Sequence, residues 1–196
     1  MPKCYSKQER EYIQNRLKEE AARCLSQYGI RRTTVDELVK RVKIPKGTFY
    51  LFYPSKELLL FEVILEQHEM VEQKLYQSIC GMDPGDSLTD QLVDILMDFY
   101  RMAAEMPVLK LLDSDEIELL ARKLPQDVLA EHLSHDNGMM EKVFSSLPVK
   151  PGVDPEVFST AFRSLYFSSL HKDEIGEENF YESLRILLYG LISQLL

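Results

Sequence analysis

The sequence predicts an all-helical protein: a three-helix domain over residues 1–58 and a larger helical bundle over residues 59–196, about nine helices or more in total. Three observations predict it. Apolar residues recur at three- and four-residue steps along most of the chain, and no stretch alternates convincingly as a strand would. Segments rich in proline and glycine punctuate those periodic stretches. Charge is divided unevenly: residues 1–58 hold 13 Lys+Arg against 7 Asp+Glu, net +6, and residues 59–196 hold 10 against 25, net −15.

The elements can be justified in order. Ile13, Leu17, Ala21, Cys24 and Tyr28 form the apolar stripe of a first helix, which Gly29 stops. Thr34 opens a second helix; its hydroxyl caps, and Glu37 three residues on reaches back in a capping box. The inner stripe of that helix is Val35, Leu38, Val39 and Val42. Pro45 suits the first turn of a third helix, Pro45 to Phe52, because its missing N–H is no loss there. Pro54 ends the third helix by holding Tyr53 extended. Ser55 caps a fourth, running to about Cys80 and close to 40 Å long at ~1.5 Å per residue. Leu58 to Leu65 is apolar nearly all round, so this helix is expected between two bodies. After a loop at Gly81 to Ser87, helices are expected at 87–105, 107–123 and 125–146, the last weakened at His135–Gly138. Pro148 to Pro155 breaks the chain, and helices at 155–171 and 177–195 close it.

Thr33 to Lys56 is the most informative stretch. It places two short helices around a tight turn, with Lys46, Thr48 and Tyr50 outward and Ile44, Phe49 and Phe52 inward. A helix-turn-helix of this kind sets its second helix into a DNA major groove. Phosphates favour cations, hydroxyls and backbone N–H groups, all of which this segment offers. Gly47 costs about 1 kcal/mol against alanine in a helix interior; either DNA approaches its backbone closely or the first helix does. Lys56 stands in the first turn of a helix, where a cation opposes the dipole. A phosphate contact would explain it, and so would a solvated lysine. A basic head on an acidic body keeps DNA at the basic end.

The same segment resembles the TetR family of bacterial transcriptional regulators. The resemblance rests on Thr33-Thr34-Val35, Gly47-Thr48-Phe49-Tyr50, Phe52-Tyr53 and Ser55-Lys56-Glu57-Leu58, over roughly residues 8–60. Three positions depart from the family pattern. Val42-Lys43 replaces a small Ala-Gly pair, Pro45 replaces a Ser or Thr cap, and Phe52 stands where a phosphate-binding Tyr or His is common. The resemblance implies DNA contacts from Thr34, Lys46, Thr48, Tyr50 and Lys56. Thr33 and Gly47 complete the motif, and Tyr53 is the candidate substitute for Phe52. It also implies a second domain that dimerises and holds a small effector. The expected partners are therefore double-stranded DNA, a second copy of the chain and an unidentified small molecule.

In residues 59–196, Phe158, Ala161, Phe162 and Leu165, with Leu184, Leu188, Leu191 and Leu195, form stripes suited to a four-helix dimer interface. The same stripes would also serve the domain's own core. Met97, Phe99, Tyr100, Met102, Met106, Phe162 and Tyr166 are candidates for a ligand pocket, since methionines and aromatics make adaptable walls. Ordinary core is the competing explanation for them. The expected mechanism is a repressor whose ligand favours a dimer with misplaced reading heads, the fourth helix acting as lever. The alternative is a regulator whose C-terminal domain answers to a protein. An enclosed cavity within residues 87–171 would favour the ligand, and a solid core with an exposed apolar patch the protein.

Other classes find little support. There is no Gly-rich phosphate loop, nucleophile elbow or HExxH, so an enzyme is not expected and no cofactor is implied. Cys4, Cys24 and Cys80 include no CxxC pair and fit a reducing cytoplasm. His132 and His135, beside Glu131 and Asp136, suggest a metal site less well than a frayed, charged helix end, so no metal is expected. The most continuous apolar stretch, Ile186 to Ile192, falls far short of the ~20 residues of a membrane span. Lys3, Lys7 and Glu9 interrupt any signal peptide. A cytoplasmic location without membrane attachment is expected.

Overall fold

A computed structural model describes residues 5–106, 115–128, 130 and 141–196. Its elements are α1 (Lys7–Arg32), α2 (Val35–Val42), α3 (Lys46–Phe49), α4 (Lys56–Cys80), α5 (Leu88–Glu105), α6 (Asp115–Ala121), α7 (Pro155–Leu170), α8 (Lys172–Ile175) and α9 (Phe180–Leu195). Residues 141–145 form a further helical turn, and no strand occurs among the described residues. The fold is all-helical, as the periodicity requires. The chain divides into two compact units, Met1–His68 with Pro107–Pro125, and Glu69–Met106 with Gln126–Leu196. The division passes through α4.

In the first unit, α1 begins with a full capping box: Ser6 Oγ accepts the Glu9 N–H at 3.3 Å, and Glu9 accepts the Ser6 N–H at 2.8 Å. The box expected at Thr34 forms by half. Thr34 caps the Glu37 N–H at 3.2 Å, but the Glu37 carboxylate turns to Arg41 at 2.6 Å. Gly29 interrupts α1 at φ 74°, after which Ile30–Arg32 add one more turn. Tyr28, expected on the buried stripe, lies outside with the Arg41 guanidinium over its ring. Ile13, Leu17, Ala21, Cys24, Leu25, Leu38, Phe49, Leu59 and Leu60 are buried, and burial pushes the Cys24 thiol up.

Charged groups cross-link these helices. The Glu20 carboxylate, 6% exposed, meets Arg23 at 2.8 Å, Arg16 at 3.0 Å and Arg41 of α2 at 3.7 Å. Lys18 bonds Glu62 at 2.6 Å and Glu66 at 2.5 Å, tying α1 to α4. Burial alone would lower the Lys18 pKa, but the two carboxylates outweigh it and hold the ammonium charged. From α6, the Glu116 carboxylate accepts the Ile30 N–H at 2.6 Å, while the Lys56 ammonium donates to the Ile30 carbonyl at 2.8 Å. The left-handed φ is what favours glycine at position 29; a Cβ would also lie 2.5 Å from that Glu116 oxygen, the far end of a side chain that can shift.

In the second unit, Ser87 caps α5, and Asp154 caps α7 with Pro155 in the first turn. The core is built mainly by α5 on α9: Leu92, Val93, Leu96, Met97 and Tyr100 meet Leu184, Leu188, Ile192 and Leu195, with Phe144 and Leu147. Asp94 and Arg185 pair at 2.6 Å between the same two helices. The Lys150 N–H and ammonium close the last turn of α9, on the carbonyls of Leu195 and Ser193. Of the helices expected at 107–123 and 125–146, the described parts are helical at 115–121, 126–128 and 141–145; His135–Gly138 lies outside the described residues.

Candidate nucleic-acid interface

The turn between α2 and α3 hinges on Lys43, at φ 60° and ψ 44°. Its N–H closes α2 on the Val39 carbonyl. A left-handed conformation costs a non-glycine residue roughly 1–2 kcal/mol, which glycine in this place would avoid. Pro45 is the N-cap of α3, not a residue of its first turn. The regular helix is one turn, Lys46–Phe49, followed to Tyr53 by mixed turns: Leu51 N–H bonds the Thr48 carbonyl at 3.1 Å, and the Phe52 and Tyr53 N–H groups share that of Phe49 at 2.9 and 3.0 Å. The regular helix is therefore shorter than the Pro45–Phe52 helix the sequence suggests.

Phe49 is fully buried and Tyr53 nearly so, their rings 6.1 Å apart. These two fix the orientation of α3 and decide which of its side chains face out. Lys46, Gly47 and Tyr50 are exposed, as is Thr34 at the mouth of α2. Lys46 holds Asp36 at 2.9 Å, and that bond raises its pKa. A Cβ on Gly47 would meet nothing within 4 Å, so packing against α1 does not account for the glycine.

The other candidate side chains point elsewhere. Thr48, expected outward, is 7% exposed, with its hydroxyl 3.2 Å from that of Tyr5. Thr33 is fully buried and donates to the Gly29 carbonyl at 2.7 Å. Lys56 is engaged on the Ile30 carbonyl, and burial lowers its pKa. Its neighbour Glu57 would be raised by burial, but the Lys123 hydrogen bond and the Lys56 charge take it below the ordinary value. Tyr53 is buried, which pushes its phenol up to about 12, so its hydroxyl does not stand in for one at Phe52. Phe52 itself is half-buried beneath the Arg10 guanidinium, 5.0 Å from the ring centroid.

Sequence reasoning missed Leu51, which is 54% exposed. The signal was available: Leu51 follows Gly47 by four residues, the spacing of one helical face.

Residues 17–63 match the family model of bacterial regulatory proteins of the tetR type. That segment is therefore of the TetR type. Over 122 residues it is 30% identical to the uncharacterized HTH-type transcriptional regulator YuxN of Bacillus subtilis, a match covering 59% of this chain and 41% of YuxN. The chain thus spans less than half the length of that relative. A second Bacillus subtilis protein of the same description, YhgD, is 24% identical over 76% of this chain and 78% of its own. Among solved structures, the fold is shared with the transcriptional regulator FadR of Bacillus subtilis in complex with stearoyl-CoA. That likeness covers 94% of this chain and 100% of FadR at 16% identity, with a TM-score of 0.63.

The second unit uses its candidate residues differently from the sequence expectation. Met97 and Tyr100 are buried in the packed core; the Tyr100 hydroxyl donates to the Phe162 carbonyl at 2.7 Å, and burial raises its pKa. Met102, Met106, Phe162 and Tyr166 are half-buried. A surface cleft of about 470 Å³ lies among Tyr76, Glu141, Lys142, Ser145 and Ser146, and shares none of these residues. Leu184, Leu188 and Leu195 are buried under α5, so these three serve the unit's own core; Phe158, Leu165 and Leu191 are half-buried. The helices expose another set instead: Ile186 and Leu187 on α9, and Val157 and Phe167 on α7.

Among the described residues no three His, Cys, Asp or Glu side chains gather as a metal site would need, and no helix is long and apolar enough to cross a membrane. His132 and His135 lie outside the described residues.

Proposed function

We propose that this TetR-family protein is a dimeric cytoplasmic repressor that binds a near-palindromic operator and leaves it when a small effector binds. Residues 1–58 are the DNA-binding domain, and residues 59–196 dimerise and take the effector. The observation that carries this reading is the outward display of Lys46, Gly47 and Tyr50 on α3, whose inner face is pinned by Phe49 and Tyr53, within a segment of net charge +6. Thr34, Lys46, Gly47 and Tyr50 make the contacts. Thr33, Thr48, Tyr53 and Lys56 hold the elements that carry them. The exposed Lys46–Asp36 pair is worth little in water, so a phosphate can replace Asp36 at small cost.

The exposed Ile186 and Leu187, with Val157 and Phe167, support self-association through α7 and α9. A two-fold dimer then reads half-sites about 34 Å apart, or at another spacing set by the interface. Met102, Met106, Phe162 and Tyr166 line the effector site, with Met97 and Tyr100 behind them. FadR, which shares the fold, is a regulator with an acyl-CoA bound. A second reading has a specific observation in its favour: Met97 and Tyr100 lie in solid core while apolar residues stand exposed elsewhere in the unit, a combination that suits a protein partner in place of a small ligand.

Selection of the tightest binders from random-sequence duplexes, at two salt concentrations, tests the central reading. A two-fold symmetric motif whose binding weakens steeply with salt is expected. Folded protein that enriches no motif, with or without acyl-CoA, would sink it.

A further inference from the structure

Gly47 on α3 and Tyr50, Leu51 and Pro54 in the turns that follow it are all exposed. The large hydrophobic residues exposed in the described part of the first unit are Tyr12, Tyr28, Tyr50 and Leu51, so Leu51 is the aliphatic one among three tyrosines. A single exposed leucine is ordinary on a protein surface. This one lies four residues from a glycine that the fold does not require, since a Cβ at Gly47 would meet no atom within 4 Å. Removing a Cβ there gains nothing inside the protein and lets an outside surface come close.

The polar groups around this face are turned to protein partners or suited to phosphate, the Tyr50 hydroxyl excepted. Lys46 holds Asp36, the Thr48 hydroxyl meets that of Tyr5, and the Lys56 ammonium is on the Ile30 carbonyl. Beside the Tyr50 hydroxyl, what α3 and its following turn offer a base edge is therefore the apolar Leu51. In the major groove, thymine alone of the four bases presents a methyl group, and apolar side chains recognise it by contact. We infer that Leu51, flanked by Tyr50, is a specificity-determining residue that takes the C5-methyl of one thymine in each half-site. The inference rests on the DNA-binding reading above and deepens it: that reading requires a groove, and this one names the base.

The test uses the full-length protein and its tightest selected duplex, with each half-site thymine replaced in turn by deoxyuridine, which differs only in lacking the methyl. Wild-type protein is expected to lose roughly three- to tenfold in affinity per half-site at one thymine position. Leu51→Ala is expected to bind more weakly by a similar factor and to be indifferent to thymine against uracil at that position. Leu51→Met, which keeps an apolar tip, should retain the preference. The side chain is exposed, so both variants should melt with wild-type protein, and that check separates contact from misfolding. Wild-type binding that ignores every uracil replacement, or a Leu51→Ala variant that still prefers thymine at every position, overturns the contact while leaving DNA binding intact. So does a Leu51→Ala variant that binds all duplexes as wild type does, the result expected if a protein docks on this face. Protein that binds no duplex under any condition overturns the DNA reading itself, and the contact with it.

Discussion

The two units are held together by different forces. In the first, Glu20, Lys18, Lys56 and Glu116 reach from one helix to a partner on another. In the second, α5 meets α9 through Leu92, Val93, Leu96, Leu184 and Leu188, and Asp94–Arg185 is an exposed pair at the edge. Apolar contact is non-directional, while charged hydrogen bonds fix distance and angle. A small unit that must present α3 at a set orientation gains from the second kind. On the proposed dimeric reading, a unit that offers apolar surface to a second copy can be built from the first.

That contrast can be broken most directly at Leu188. It is fully buried, and Leu188→Ala should cost about 2–5 kcal/mol in urea denaturation, irrespective of salt. A loss under 1 kcal/mol would mean the α5–α9 contact is not what holds the second unit.

Glu20→Ala is the counterpart in the first unit. Arg16 and Arg23 are 31% and 60% exposed and can re-solvate, so the loss should be about 2 kcal/mol, below the full cost of an orphaned buried charge. A negligible change would show that apolar packing alone orients α1 on α2.

Two buried phenols sharpen the comparison by pH. Burial raises Tyr53 in the first unit from 10.0 to about 12, and raises Tyr100 in the second. The folded state keeps the proton that the unfolded chain releases. The stabilisation is therefore complete below pH 10 and is lost as pH rises toward 12. Tyr53→Phe should flatten the alkaline fall of stability over that interval. Tyr100→Phe should do so too, and in addition cost about 1 kcal/mol at neutral pH through the lost bond to Phe162. A Tyr100→Phe variant as stable as the wild type at neutral pH would contradict the hydrogen bond.

The smallest change in stability is expected at Ile186, 73% exposed. Ile186→Glu should alter the melt by less than about 0.5 kcal/mol, while sedimentation shows a dimer become a monomer. Unchanged mass would move the interface off α9.

Local features were legible in the sequence because their causes lie within a few residues. Thr34 caps α2, Gly29 interrupts α1 and Phe49 faces inward, each as its neighbours dictate. What escaped depends on distant partners. Thr48 turns in toward Tyr5, 43 residues earlier. Lys56 was expected at a phosphate, but the interruption at Gly29 places the Ile30 carbonyl within its reach. On α9, Leu184 and Leu188 form one apolar face and Ile186 and Leu187 another; periodicity reveals both, and only the position of α5 decides which is core. Leu51 was overlooked because inner and outer assignments stopped at the polar and aromatic positions of the motif.

Ile30 is gripped at both ends of its backbone, the N–H by Glu116 and the carbonyl by Lys56. Its amide therefore makes a spectroscopic reporter. In protein labelled at isoleucine with nitrogen-15, that one resonance registers the seating of α6, although 86 residues separate the two partners. A short, charge-assisted bond should carry the signal downfield and slow its exchange with solvent deuterium. Glu116→Gln should return it toward an ordinary amide shift, while the resonances of the buried Ile13 and Ile64 stay where they are.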